Sequence, residues 1–195
     1  MFAVIFEVNP RPEAWDEYLG HAAMLRPELA AIDGFITNER YASLTRPGWL
    51  VSVSIWRDEK ALVRWRTNAL HHEVQGKGRS SVFADYHLRV GEIVSDSEAT
   101  AALAQVRFDT TEAGAAKAVT FTERPLVPGP VAASPDREVF DSITRPGNGL
   151  YMTSWPDLAS AEAGIGSAAG RHRVVRVIRD YGMFARAEAP QYFPA

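Results

Sequence analysis

The chain has 195 residues, 46% of them hydrophobic and 23% charged, with a net charge of −3 and no cysteine. That length allows one large domain or two small ones of roughly 100–200 residues each, and the composition is that of a globular protein. Without cysteine there are no disulfides or thiolate metal sites. No lysine or arginine run exceeds two residues, so nucleic acid and anionic membranes have little to bind. The opening "MFAVIFEVNPRPEAW" is too briefly apolar for a signal peptide, and no later stretch could span a bilayer; a soluble, cytoplasmic chain is expected.

"FAVIFEV" is dense in β-branched and aromatic residues and predicts a buried strand. "NPRP" ends it, with Pro12 suited to the first position of a helix. Trp15, Tyr18, Leu19, Ala22 and Leu29 then recur at helical spacing, with a kink or break expected at Pro27. Asp33-Gly34 stops that helix and releases the strand "FITNERYASL", which turns at "TRPG" into "WLVSVSIW". Asp58 opens a second helix running to "GKG" at Gly76–Gly78, and "YHLRVGEIV" is the last strand. This β-α-β-β-α-β order is the ferredoxin-like split unit.

After a polar linker, "SDSEAT", the order begins again. "ALAQVRFD" alternates as a strand, Thr111 with Glu112 opens a helix, and "ERPLVPGPVAASP" is a proline-rich loop. "SITRPGNGLYMTSW" (Ser142 to Trp155) repeats "SLTRPGWLVSVSIW" (Ser43 to Trp56) without a gap at an offset of 99. The final strand "RHRVVRVIRD" matches best at an offset of 84, which sets Arg89, Val90, Ile93, Val94 and Asp96 against Arg173, Val174, Val177, Ile178 and Asp180. Between hairpin and last strand the second copy is therefore 15 residues shorter. The loss falls in "NALHHEVQGKGRSSVFADY", and the remaining helix, "PDLASAEAGIGSAAG", is short and glycine-spoiled. A period this long is a repeated domain, not a solenoid unit. The chain reads as α+β with two tandem ferredoxin-like domains, residues 1–97 and a shortened 98–195.

In "WLVSVSIW", Val51, Val53 and Ile55 share one face and Ser52, Ser54 and Trp56 the other. Serines on one face of a buried strand suggest a partly polar cavity. On a continuous second helix Leu62, Trp65, Ala69 and His72 share a face, and His71 lies about 100° further round. A histidine is the natural proton acceptor near neutral pH; near a helix C-terminus it also stabilises the dipole when charged. Arg66 and Arg79 offer forked donors to a phenolate or carboxylate, or pair with acids such as Glu73. Neither metal-ligand spacing nor a phosphate-binding glycine loop is present.

Trp56, Asp58, Glu59, Trp65, Arg66, His71, Gln75, Gly78, Arg79, Phe83 and Tyr86 follow a pattern of strand-final Trp, acidic helix start, W-R…H…Q…G-R and F-x-x-Y. In this the chain resembles the antibiotic biosynthesis monooxygenase family over nearly all of residues 1–97. The resemblance is weaker in the second half, where "SITRPG", Trp155, Asp157 and "RDYGMFARAEAP" carry it. It implies a dimeric α/β barrel, which a tandem chain would build as an intramolecular pseudo-dimer; the fused chain could pair again as a homodimer. It also implies a cofactor-independent oxygenase of a small aromatic or polyketide-like molecule, with molecular oxygen as co-substrate and no metal. His71 or His72 would deprotonate the substrate in a pocket shaped by Ser52, Trp56, Trp65, Arg66, Phe83 and Tyr86. Anthrone-oxygenating relatives carry an Asn where this chain has Ser52. Haem-degrading relatives place a ligating His ten residues after a helical Trp, here Gln75, and an Asn near Glu7, with Asn9 nearby. A non-catalytic small-molecule-binding protein and a haem-handling protein are the alternative readings.

Overall fold

The computed structural model describes residues 1–132, 134–165 and 169–190. Eight strands form it: β1 (Phe2–Pro10), β2 (Phe35–Ser43), β3 (Leu50–Trp56), β4 (Phe83–Asp96), β5 (Ala118–Pro125), β6 (Arg137–Ser142), β7 (Asn148–Trp155) and β8 (Arg171–Gly182). They close into an antiparallel barrel in the order β1-β3-β2-β6-β7-β5-β8-β4. Within each half the order is that of a ferredoxin-like sheet. The period-two alternation of the strands turns one set of side chains inward. Ala3, Ile5, Val51, Val53, Ile55, Val119, Phe121, Phe140, Leu150, Met152, Val175 and Val177 make one apolar core there. Closure also removes every free sheet edge.

Helices α1 (Trp15–Ala31), α2 (Glu59–Arg66) and α3 (Ala69–Lys77) cover the outside of the first sheet, and α4 (Leu158–Gly164) lies on the second. None among the described residues is long and apolar enough to cross a membrane. α1 runs through Pro27 without a break. Pro27 lies on the exposed face, where water can satisfy the carbonyl its missing N–H leaves free. The expected single helix from Asp58 to Gly78 is two: Thr67 ends the first, and the Asn68 carboxamide caps the second through the His71 N–H at 3.0 Å.

The second half departs further from expectation. Its first strand is "AVTFTERP", not "ALAQVRFD". Val106 and Phe108 are 60% and 80% exposed, so the alternation there has no buried face to serve. The N–H groups of Val106 and Arg107 instead donate to the buried Glu92 carboxylate. No helix starts at Thr111 either: its hydroxyl and the N–H groups of Glu112 and Ala113 are taken by the Glu188 carboxylate. In register, Phe2 pairs with Trp56 and Glu92, and Ala118 with Trp155 and Arg176, in agreement with the offset of 84 for the last strand. Yet 54 residues separate Phe2 from Trp56 and only 37 separate Ala118 from Trp155. Among the described residues the second half shows no counterpart of α1, and the proline-rich stretch lies between β5 and β6. Residues 166–168 of the expected glycine-spoiled helix lie outside the described residues.

Candidate active site between sheet and helices

Strand register sets out the floor of this region. Across the outer face, Arg40 stands opposite Ser52, Ser52 opposite Phe6, Phe6 opposite Leu88, and Leu88 opposite Tyr181. The adjacent row is Asn38, Ser54, Val4 and Val90. The floor is thus polar over β2 and β3 and apolar over β1 and β4. Val4, Phe6, Leu88 and Val90 all keep part of their surface exposed although α1, α2 and α3 lie above, whereas their inward neighbours Ala3 and Ile5 are fully enclosed. The helices therefore leave room over the sheet.

Two apolar clusters bound that room. At one end Trp56, Phe2, Leu29 and Ala61 are buried together, with Val4, Leu62 and Trp65 packed against them. At the other, Tyr18, Phe83 and Tyr86 surround Phe6, with ring centroids 5.7–6.2 Å apart. The C-terminal segment joins this second cluster through Tyr181 and Met183, and Arg186 donates to the Tyr86 hydroxyl at 2.7 Å.

Trp56 is fully enclosed, edge-on to Phe35 and donating its indole N–H to Ser54 at 2.9 Å. Ser52 accepts from the Asn38 carboxamide at 2.8 Å. Arg66 is half-buried at the end of α2, near enough to Tyr181 to act on it electrostatically. The break before Asn68 decides where the histidines go, because a face extrapolated along one helix no longer applies. His71 stacks on Trp65, with centroids 4.1 Å apart, and its Nδ1 lies 3.0 Å from the Trp65 carbonyl. A carbonyl only accepts, so Nδ1 carries the proton and Nε2 the lone pair. Burial pushes the His71 pKa down to about 4, so the ring is neutral but a weak base. His72 follows it on α3, its N–H bonded to the Asn68 carbonyl at 2.9 Å.

Three residues of this region carried no sequence signal. Arg40 and Asn38 alternate with Glu39 and Thr37 in a strand that reads as mostly polar, so nothing marked them as facing the helices. Tyr18 had appeared only as one member of an apolar stripe, yet its hydroxyl meets the Arg40 guanidinium. In the second half the Trp155 ring packs directly against Gly164 of α4, where a Cβ would clash with it. Inside the barrel mouth a separate cavity of about 230 Å³ is lined by Glu7, Arg46, His87, Arg89, Glu138 and Ser154. Here Glu7 receives the Arg46 and Arg89 guanidinium groups.

Comparison with known proteins now bears on this geometry. The family described as antibiotic biosynthesis monooxygenase matches residues 1–77. A protein of Pyricularia oryzae named jasmonate monooxygenase ABM is 42% identical over an alignment that covers 100% of this chain and 99% of its own length. Among solved structures, aldoxime dehydratase superposes with a TM-score of 0.55 over 91% of this chain and 81% of its own, at 10% identity, a likeness of fold alone. An antibiotic biosynthesis monooxygenase structure gives a TM-score of 0.44 at 19% identity, covering 49% of this chain and all of its own. The full-length identity and the match over the first half together support a monooxygenase-type function. The chain belongs to the antibiotic biosynthesis monooxygenase family.

Proposed function

We propose that this chain is a monooxygenase acting on a jasmonate-type molecule, small and largely apolar, with one carboxylate and a ring ketone. The observation that carries this reading is the graded floor: Arg40, Asn38, Ser52 and Ser54 at one end, Phe6, Val4, Leu88 and Val90 at the other. A small aromatic or polyketide-like substrate, the expectation from sequence, would suit the apolar half of that floor and leave the polar half unused. The 42% identical relative, named for jasmonate, weighs the same way.

Oxygen is the co-substrate, and we propose that no resident cofactor takes part. A ring ketone acidifies the adjacent C–H. Deprotonation gives an enolate that passes one electron to O2, the radical pair combines to a hydroperoxide, and loss of water leaves a new carbonyl. One CH2 and one O2 become one C=O and one H2O, so the substrate supplies all the electrons. A base with a pKa near 4 suits this proton transfer poorly, so His71 serves as a wall beside Trp65 and His72 remains the candidate base. The test is turnover of jasmonate under 18O2 by the full chain without added cofactor. One labelled oxygen per product is expected. Turnover only with added flavin, haem or nicotinamide would overturn cofactor independence, and no product in either case would overturn the enzyme reading. His72→Ala should lower kcat about 10²–10⁴-fold and His71→Ala by less than tenfold.

We also infer that residues 1–97 and 98–195 form an intramolecular pseudo-dimer. Ion pairs at equivalent positions support it. Glu7 with Arg89 corresponds to Glu123 with Arg173, and Arg46 with Glu138 corresponds to Arg145 with Glu39.

A further inference from the structure

Charged side chains are numerous inside this fold, and most arginines that are deeply set have an acid to meet. Arg89 holds Glu7, Arg46 holds Glu7 and Glu138, Arg173 holds Asp96 and Glu123, and Arg107 holds Glu59. Arg40 differs. Among the described residues no carboxylate lies within ion-pair distance of it, and its buried Nε donates to nothing. Among the described residues the side-chain partner of its guanidinium is the Tyr18 hydroxyl, which occupies only part of a five-donor fork. Burying a donor of a charged group without an acceptor is costly. Arg89, Arg124 and Arg176 also bury an unpartnered Nε, but Arg89 and Arg176 meet an acid through another nitrogen and Arg124 lies over the Tyr151 ring. At Arg40 the fork is left for an acceptor from outside.

The surroundings of Arg40 limit what that acceptor can be. Its cross-strand neighbour is Ser52, already holding Asn38, and beyond Ser52 the floor becomes Phe6 and Leu88. Tyr18 roofs the same spot from α1 and packs on Phe83. A ligand reaching the fork must therefore be anionic at one end and apolar within one strand spacing of it. We propose that Arg40 is the carboxylate anchor of the site. It takes the acid group of a small, apolar monocarboxylate by charge-assisted hydrogen bonds from Nε and a terminal nitrogen. The body of the ligand then lies across Phe6, Val4, Leu88 and Val90, and its far end reaches Trp65, which packs in the same cluster as Val4. This rests on the substrate reading above and adds the residue that sets the orientation.

The experiment compares binding of the keto acid named above and of its methyl ester, by calorimetry on the full chain. The wild-type chain should prefer the acid about 10- to 100-fold. In Arg40→Met the acid should fall to the affinity of the ester, with the ester unchanged within about threefold. Arg40→Lys, which keeps the charge but not the planar fork, should recover part of the preference. Circular dichroism of both variants checks that each is folded. An acid preference that survives Arg40→Met overturns the anchor, and so does equal loss of both ligands, which would make Arg40 a prop of the wall. Equal binding of acid and ester by the wild-type chain also overturns it, leaving the substrate reading in place. Binding of neither ligand overturns that reading itself and the anchor with it.

Discussion

His87 and His71 are the same residue type driven in opposite directions. His87 reaches Asp180 with Nε2 at 2.6 Å and Glu7 with Nδ1 at 3.4 Å. Burial alone would lower its pKa, but the hydrogen bonds with Asp180 and Glu7 outweigh it and raise the value to about 9. A pKa raised above the unfolded value of 6.5 gives stability that is complete below pH 6.5 and lost as pH rises through 9. For His71, lowered by burial to about 4, stability is complete above pH 6.5 and lost as pH falls through 4. The thermal midpoint of the full chain should thus decline on both sides of neutrality. His87→Gln should flatten the alkaline side, a change of about 1–2 kcal/mol once solvent screening of this partly exposed ring is allowed for. Histidine chemical shifts followed by NMR check it directly, and two unshifted midpoints near pH 6.5 would refute it. The sequence nominated His71 but not His87, and could disclose the environment of neither. The serine face of β3 was legible from parity alone, because one strand's alternation is local. Arg40 was not, because a buried guanidinium nitrogen without an acid partner is a property of neighbours up to tens of residues away in the chain.

At the scale of elements, the repeated hairpin was the most legible feature, and its chemistry explains why. In each copy the serine hydroxyl accepts the N–H of the arginine three residues on, Ser43 from Arg46 at 3.0 Å and Ser142 from Arg145 at 2.9 Å. Each turn then ends on a glycine of positive φ, Gly48 and Gly147. A short sequence that carries its own turn needs no distant partner to be recognised. "ALAQVRFD" fails for the converse reason: alternation is necessary for a half-buried strand, but only a vacant sheet edge makes it sufficient. The break between α2 and α3 lies between these cases, since Asn68 is a legible cap that a continuous apolar stripe concealed. Removing that cap tests how far the site depends on it. Asn68→Ala should cost about 1 kcal/mol in chemical denaturation. It should also loosen the His71–Trp65 stack, seen as changed tryptophan fluorescence and a rise of the His71 pKa towards 6.5. Lost stability with an unmoved His71 would show that the stack stands without the cap.

The whole molecule is held by two seams, β2 with β6 and β4 with β8, which join the halves into one barrel. Residues 1–97 alone would carry an open edge at β2 and another at β4, and an inner face of Ala3, Ile5, Val51, Val53 and Ile55 with nothing to cover it. Such a fragment has a solution available within its own sequence. At the β2–β6 seam Arg46 meets Glu138 and Arg145 meets Glu39. Glu138 lies 99 residues after Glu39, and Arg145 lies 99 after Arg46, so each seam acid has a first-half equivalent. Two copies of 1–97 can therefore offer each other Arg46 against Glu39 while joining β2 to β2 and β4 to β4. The fragment should sediment as a dimer whose dissociation increases with salt, as ion pairs at a solvated seam require. Glu39→Arg should weaken the dimer by placing two cations together, and adding Arg46→Glu should restore it. A folded, monomeric fragment would mean that the first sheet closes without a sibling, and the intramolecular pseudo-dimer would lose its physical basis.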